Sequence, residues 1–496
     1  MKALPAPRPT QLDAAVHRSR RLLIEAGPGT GKTFTAAERF GYLAYDGQPD
    51  RIAGVLVLSF TVGATQVIRR AIARRWGGSA LAWPNRVRTI DSVFRSVLNF
   101  LLRKRLVAWP GGHLEIDPLD ERRGARRANE ENTIDWFAGL DDRSVVPVRR
   151  TATRGDSVVT SGAALRKQLE AGECSHGDIR GIVCAASQHP DLLPHILEHL
   201  ARMASSVLVD EAFDANSTDI ALLHLLDSAG CTLSLVGDPW QALYGFRDEV
   251  PADLDVDLLR VVQFDSVSLT ECFRFAGVDH QKVMAELRDG LPCPPATVTE
   301  ASVVLAAEWK MLWDASPSVL PLSFGRMGTQ LDALVVLLLD FYARNCGLTS
   351  ARLVGSACSL LGVDAALLAT PEAVAEFGAV LALVKSGDAG SALDRLSAVP
   401  REVFEGRKAS VGEKQYAKFN PRLDALAARL RHGGPHIPGL TVHQAKGDEW
   451  DHVGIVMTDE DVTALGAGLD RADPEHRRLY VAMTRARVSV GRFEPA

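Results

Sequence analysis

Leu22-Leu23-Ile24-Glu25-Ala26-Gly27-Pro28-Gly29-Thr30-Gly31-Lys32-Thr33 is the stretch on which the fold turns. A short apolar run enters a glycine-rich turn, and a helical stretch, Phe34 to Tyr42, leaves it. Glycines let backbone N–H groups approach an anion, and a helix N-terminus favours negative charge. In that setting Lys32 reaches the β- and γ-phosphates of a nucleotide, and the Thr33 hydroxyl binds Mg²⁺. The strict pattern begins with Gly where Ala26 stands, but the strand–loop–helix context outweighs that departure. Ala26, Gly27, Pro28, Gly29, Thr30, Gly31, Lys32 and Thr33 are therefore candidate nucleotide-binding residues, with Thr33 also a metal ligand.

Three more apolar runs end in polar clusters. Val55-Leu56-Val57-Leu58 leads into Ser59-Phe60-Thr61, Val207-Leu208-Val209 into Asp210-Glu211, and Leu233-Ser234-Leu235-Val236 into Gly237-Asp238. Such runs, separated by helical stretches, predict buried parallel strands. In open α/β sheets ligands lie outside the carboxyl ends of the strands, so these clusters are expected to converge on one site. Asp210 would hold Mg²⁺ through its hydration shell, and Glu211 would orient and deprotonate the attacking water. The helix after the second run, Thr65 to Trp76, places Val67, Ile68, Ala71 and Ile72 on one face and arginines on much of the other.

The bulk numbers narrow the classes. A chain of 496 residues exceeds one core, and two to four domains are expected. With 46% apolar and 24% charged residues, disorder is not the default. Seven cysteines without a Cys-x-x-Cys pair argue against a disulfide framework or a zinc ribbon. The longest purely apolar run, Ala333 to Leu339, is too short to span a membrane, and Met1 to Thr10 is no secretory signal. No membrane contact and a cytoplasmic location are expected. A net charge of −5 excludes coating of nucleic acid by bulk attraction, so nucleic-acid contacts must come from local basic grooves. Arg69, Arg70, Arg74 and Arg75, then Arg103, Lys104 and Arg105, then Arg122, Arg123, Arg126 and Arg127 form such patches, each equally readable as a solvated helix face.

From Gln11 to Arg487 the motifs resemble, in order, those of the UvrD/Rep-like superfamily I helicases. Gln11 resembles the residue that reads the adenine edge. Ser59-Phe60-Thr61 is similar to a DNA-touching strand end, so Phe60 and Thr61 are implied DNA contacts. Val236-Gly237-Asp238-Pro239-Trp240-Gln241-Ala242-Leu243-Tyr244-Gly245-Phe246-Arg247 resembles the motif in which Gln241 senses the γ-phosphate. There Tyr244 and Phe246 offer faces to bases, unless they are core aromatics, and Arg247 meets the strand. Cys272-Phe273-Arg274 stands for the usual Asn-Tyr-Arg. By resemblance Phe273 stacks on adenine and Arg274 is an arginine finger. Leu322-Ser323-Phe324-Gly325-Arg326 looks like the next strand of the second domain, with no role given to Arg326. Thr441 to Trp450 resembles the motif in which Glu449 holds the ribose and His443 couples DNA to nucleotide. Arg477 to Arg487 resembles the last motif, with Arg485 the second arginine at the γ-phosphate. The catalytic set so implied is Lys32, Glu211, Gln241, Arg274 and Arg485, and the cofactors are ATP and Mg²⁺.

Three positions depart from that pattern. Asp91, in Thr89-Ile90-Asp91-Ser92-Val93-Phe94, stands where the family often has His. A carboxylate facing phosphate is unfavourable, so no DNA contact is assigned to it. Asp448 replaces the usual Leu. Phe213, in Asp210-Glu211-Ala212-Phe213, replaces a Gln that hydrogen-bonds between the nucleotide site and its neighbours, which predicts weakened coupling of DNA binding to hydrolysis. Other patterns are set aside. His195-Ile196-Leu197-Glu198-His199 fits a metalloprotease pattern without supporting context. Asn216-Ser217-Thr218 fits a glycosylation sequon that requires secretion.

The resemblance implies an α/β fold of two RecA-like parallel-sheet P-loop domains with two helical insertions. Residues 1–94 and 206–266 would build the first domain around a helical insertion, 95–205. Residues 267–345 and 436–496 would build the second around a short helical insertion, 346–435. The expected function is an ATP-dependent single-stranded-DNA translocase or helicase of 3′-to-5′ polarity, acting on single strands, ends or junctions in DNA repair or anti-phage defence. In length and motif set the chain is also similar to compact UvrD-like subunits that stand beside partner nucleases, as in the Gabija system. No nuclease or interaction tail is expected after the last motif. Two alternatives stay open. One is a nucleotide-sensing, DNA-end-binding switch that regulates a partner nuclease. The other is a DNA-binding scaffold with a relic site, against which the retained Lys32, Asp210, Glu211, Gln241, Arg274 and Arg485 argue.

Overall fold

The computed structural model describes residues 6–45, 53–119, 126–127, 133–152, 157–243, 258–259, 262–325, 327–348, 351–404, 406 and 408–495. The chain forms two compact units, Met1–Arg274 and Phe275–Ala496.

The strands of the first unit are β1 (Arg21–Ala26), β2 (Gly54–Ser59), β3 (Arg86–Thr89), β4 (Arg126–Arg127), β5 (Thr133–Asp141), β6 (Ser144–Ala152), β7 (Ser157–Val158), β8 (Ala204–Asp210), β9 (Thr232–Gly237) and β10 (Asp265–Leu269). Six make one sheet in the order β10-β1-β9-β8-β2-β3. Every pairing within it is parallel. Successive side chains of a strand point to opposite faces, and here the two faces meet two cores. Leu22, Ile24, Val55, Val57 and Leu208 pack with Ala36, Phe40, Ile68 and Ile72. Leu23, Leu56, Leu58, Val207 and Val209 pack on the other face with Val93, Phe94, Val97 and Leu223. Burial on both faces is why these strands read as continuous apolar runs. Within the helix Val62–Trp76, Ile68 and Ile72 are buried as expected, whereas Val67 is exposed.

Two expectations for this unit need correction. The stretch 95–205 is not simply helical. β5 and β6 form a nine-residue antiparallel hairpin, paired from Thr133↔Ala152 to Asp141↔Ser144. Its strands hold short apolar runs, Trp136-Phe137-Ala138 and Val145-Val146-Pro147-Val148, but Asp135, Arg149 and Arg150 interrupt the pattern, so no continuous hydrophobic signal spans either strand. The expected boundary at 94/95 also falls inside the helix Ile90–Arg103, whose Phe94 and Leu98 share a core with Leu165 and Ile179. The second correction concerns residues 267–274. β10 pairs with β1 from Leu22↔Asp265 to Ala26↔Leu269, which carries the first unit through Arg274.

In the second unit β11 (Ala296–Val298), β12 (Val303–Ala306), β13 (Val319–Pro321), β14 (Ile437–Thr441), β15 (Trp450–Ile455) and β16 (Ala486–Phe493) form another parallel sheet, ordered β11-β16-β15-β12-β14-β13. The strand expected at Leu322–Arg326 lies earlier, at β13, and Arg326 is outside the described residues. Between β13 and β14 run the helices Gln330–Asn345, Ala351–Leu361, Pro371–Ser386, Ala389–Val403 and Glu413–Leu430, around a core that includes Leu334, Leu338, Phe377, Leu396 and Phe419. The apolar run Ala333 to Leu339 is the buried body of the first of these. Among the described residues no helix is long and apolar enough to cross a membrane. The fold is α/β, with two RecA-like parallel sheets.

Candidate functional site

The loop after β1 is shaped by two glycines. Gly29 and Gly31 adopt φ +73° and +84°, a left-handed region that other residues enter only with strain. Space is also short. A Cβ on Gly29 would lie 2.3 Å from Arg274 Cβ, and one on Gly31 would lie 2.6 Å from Gln11 Nε2. The Thr30 hydroxyl donates to Gly27 O at 2.9 Å, which closes the turn before the helix Lys32–Tyr45. Ala26, the departure from the strict pattern, is the last residue of β1, and its methyl group is buried in the core. Below the loop Arg39 is also buried. It donates to Ala15 O at 3.1 Å, to His17 O and to Ser234 Oγ at 3.1 Å, tying the phosphate helix to its neighbours. Burial pulls its pKa down to about 10.

Three strand ends converge above the loop. Lys32 Nζ lies 3.1 Å from Gln241 Oε1 and 3.5 Å from Glu211 Oε1. Gln241 is buried, and its Nε2 donates to Asp238 Oδ2 at 2.9 Å. Asp238 is fully buried and also accepts from Trp240 N at 3.2 Å. Asp210 ends β8, and its Oδ1 accepts from Glu211 N at 3.1 Å. Glu211 is a non-glycine residue at φ +57°, a conformation that costs of order 1–3 kcal/mol and is common at functional sites. Asp210 and Thr33 supply hard oxygen donors, the chemistry that suits Mg²⁺, which keeps several waters and takes only one or two protein oxygens.

A second group lies at the other side of the loop. Gln11 is buried, donates from Nε2 to Thr30 O at 3.0 Å, and accepts from Arg8 N at 3.0 Å. Phe273 N donates to Gly29 O at 2.8 Å, and the Cys272 thiol lies 3.2 Å from Pro28 O. The Phe273 ring is 48% exposed, open enough to stack on a flat ligand, and the Arg8 guanidinium stands 5.7 Å from its centroid. Arg274 follows against Gly29. Sequence reasoning gave no role to Arg8 or to Asp238. The first is a lone arginine three residues before Gln11, and the second sits inside a quoted motif.

The expected DNA contacts fare differently. Phe60 is only 7% exposed and packs in the core with Leu58 and Phe94, so no base can stack on it in this structure. Its apolar ring is better accommodated there than in solvent. Thr61 is exposed and caps the helix Val62–Trp76 by accepting from Ala64 N at 3.1 Å. Tyr244, Phe246 and Arg247 lie outside the described residues. Asp91 is held by Arg180, whose Nε lies 2.7 Å from its Oδ1, and the same guanidinium reaches Asp219 Oδ1 at 3.2 Å. Phe213 is buried with its ring over Gly237, where a Cβ would come within 2.7 Å of Cδ2.

On the second unit His443 is exposed in the short helix Val442–Ala445, and Glu449 is exposed just before β15. Arg485 is buried, its Nε 3.0 Å from Val481 O and its Nη2 3.3 Å from Thr484 Oγ1. His195, Glu198 and His199 lie on one helix, Leu193–Met203, but His199 stacks on Phe100 at 4.4 Å. Among the described residues no group of three or more His, Cys, Asp or Glu could hold a metal. All seven cysteines are free.

With that geometry in view, comparison with known proteins gives consistent matches. Residues 11–247 match an AAA domain family, and residues 392–490 match the UvrD-like helicase C-terminal domain. The chain is 25% identical over 244 residues to the ATP-dependent DNA helicase PcrA of Staphylococcus aureus, covering 46% of this chain and 32% of that protein. It is 25% identical over 287 residues to the ATP-dependent DNA helicase UvrD1 of Mycobacterium leprae, covering 50% and 35%. The matched region thus spans about a third of the length of these relatives.

Proposed function

This chain belongs to the UvrD/Rep-like superfamily I helicases, and from that premise we propose that it hydrolyses ATP to move along single-stranded DNA. The observation that carries the proposal is the placement of Lys32 between Gln241 and Glu211 at the ends of three parallel strands. Two oxygen acceptors hold the ammonium where phosphate oxygens would otherwise meet it.

On this reading the incoming β- and γ-phosphates take over Lys32. That frees Glu211 to accept a proton from the attacking water and Gln241 to meet the γ-phosphate. Asp210 and Thr33 would hold Mg²⁺, which neutralises developing phosphate charge when bound. Gln11, Phe273 and the turn Ala26–Thr33 would hold the nucleotide, with Arg8 as a further cover on Phe273. Arg274, Arg485 and Glu449 keep the roles that the resemblance implies, as do Thr61, His443, Tyr244, Phe246 and Arg247 toward the strand. Phe60 is not carried forward as a DNA contact. Polarity of 3′-to-5′, action at ends or junctions, and service in repair or anti-phage defence belong to the same proposal.

One observation favours a second reading, a nucleotide-sensing switch that regulates a partner nuclease. Phe213 presents a buried ring where the related motif has a hydrogen-bonding Gln, so a polar link between the nucleotide site and its neighbours is replaced by packing. Strand displacement on a duplex with a 3′ single-stranded tail separates the two. ATP-dependent release of the partner strand supports the motor. DNA binding and hydrolysis without any release or translocation would favour the switch.

A further inference from the structure

The helix Ile90–Arg103 follows the edge strand β3 and is sharply two-sided. Ile90, Val93, Phe94, Val97, Leu98, Leu101 and Leu102 are buried. The opposite stripe, Ser92, Arg95, Ser96, Asn99 and Arg103, recurs at helical spacing and carries hydrogen-bond donors with no carboxylate of its own. Along it runs an open groove of about 430 Å³, lined also by Arg88 of β3 and by Glu115 and Asp117. Asn99 fixes the far wall. Its Nδ2 donates to Ile116 O at 3.2 Å, and its Oδ1 accepts from Ile116 N at 2.9 Å.

The charge in this groove is unbalanced. Asp117 pairs with Arg95, and Glu115 with Arg103, but all four side chains are largely exposed and their pairs are weak in water. Arg86 and Arg88, two residues apart on β3, project to one side. Among the described residues no ion pair holds either one. Burial, followed by the charges of Arg86 and Arg95, pulls the Arg88 pKa down. Three arginines, Arg88, Arg95 and Arg103, therefore share the groove with two exposed carboxylates along about 17 Å of helix, and Arg86 adds positive charge beside it. That length accommodates several backbone phosphates, and because Ser92 already donates to Thr89 O and Asn99 is held on Ile116, the arginines are the groups that meet them.

We propose that this groove binds a nucleic-acid phosphodiester backbone along the helix to Arg103, beyond the strand-end stretch Thr89–Phe94 at which the helix begins. It rests on the reading of the chain as a nucleic-acid motor, and it names Arg88, Arg95 and Arg103 as the phosphate-binding groups. Incoming phosphates displace Glu115 and Asp117 from their exposed pairs and neutralise the surplus charge of Arg86 and Arg88. The backbone can come from a single strand or from a duplex arm.

The test is equilibrium binding of the full chain to a single-stranded oligonucleotide and to a blunt duplex, across a salt series. It compares wild type with Arg88→Ala/Arg103→Ala and Arg88→Lys/Arg103→Lys. Each lost phosphate contact lowers the log–log salt slope by about one. The alanine pair is expected to bind about tenfold more weakly at low salt, with a slope smaller by about two. The lysine pair should retain most of both. Loss confined to the duplex assigns the groove to a duplex arm, and loss confined to the oligonucleotide assigns it to the single strand. Wild-type affinity and slope in the alanine pair on both probes would overturn the groove alone. Equal loss in the lysine and alanine pairs would overturn it in favour of a structural role. Wild type that binds neither probe would overturn the DNA reading and the groove together.

Discussion

Gln241 donates its amide to Asp238 at 2.9 Å, and that bond turns its carbonyl oxygen toward Lys32, 3.1 Å away. Asp238 is fully buried and touches no expected ligand, so it acts by setting which end of the Gln241 amide faces the phosphate lysine. In Asp238→Asn an amide group can face Gln241 Nε2, two donors oppose each other, and Gln241 rotates. Turnover should fall by about a hundredfold, the scale that misplacement of a reacting group produces, while KM for ATP stays within a few-fold. Steady-state kinetics of Asp238→Asn beside Gln241→Ala checks this. Equal losses in both single variants and in the double variant are expected. Unchanged kcat in Asp238→Asn would refute the positioning role.

Arg180 joins Asp91 to Asp219, and both Arg180 and Asp219 are buried. Breaking a buried pair by removing one partner leaves an uncompensated charge and costs roughly 3–5 kcal/mol. Arg180→Ala should show that loss in urea unfolding. Asp91→Asn should cost less, because Asp91 is partly exposed and Arg180 keeps Asp219. The reverse order of the two variants would show that the network is not organised around Arg180.

Phe213→Gln places a polar amide in a core position against Gly237. A lower unfolding midpoint is expected, since burying an amide without full compensation costs about 1–3 kcal/mol. The ratio of turnover with DNA to turnover without it should rise several-fold, because a hydrogen-bonding link is restored. An unchanged ratio would show that Phe213 does not limit the coupling.

His199 provides a pH signature. Burial, followed by Arg103 and Arg86, lowers its pKa from 6.5 to about 4. The fold therefore favours the neutral imidazole, stacked on Phe100 and 3.2 Å from Ser96 Oγ. The unfolded chain takes up the proton near pH 6.5. Stability from the neutral ring is in place above pH 6.5 and is lost as pH falls from 6.5 toward 4. Urea midpoints at pH 7.5 and 5 should therefore differ more for wild type than for His199→Phe. Equal differences would contradict the assignment.

Much of the first sheet was legible because its inner strands are buried on both faces. β1, β2, β8 and β9 each appear in sequence as an apolar run ending in polar residues. β10 was not legible. Asp265-Ser266-Val267-Ser268-Leu269 lies at the sheet edge, largely exposed, and carries no such run. The hairpin β5–β6 escaped for another reason: its short apolar runs are broken by charged residues, and its buried Asp135 is matched by Arg150 and by Val159 N, partners that only the fold supplies. At the candidate site, Lys32, Asp210, Glu211 and Gln241 were readable from local motifs. The Arg180–Asp91 pair was not, because 89 residues separate partners that only the fold brings together. Phe60, expected to touch DNA, is buried in this structure, because a motif position does not reveal which way a side chain faces.

The most direct measurement is ATP hydrolysis by the purified chain, with and without single-stranded DNA, beside Lys32→Ala. Turnover that DNA stimulates, though less than it would with Gln in place of Phe213, and that Lys32→Ala abolishes is the predicted result. Turnover that persists in Lys32→Ala would contradict the assigned site, and Lys32-dependent turnover indifferent to DNA would contradict the DNA-coupled motor.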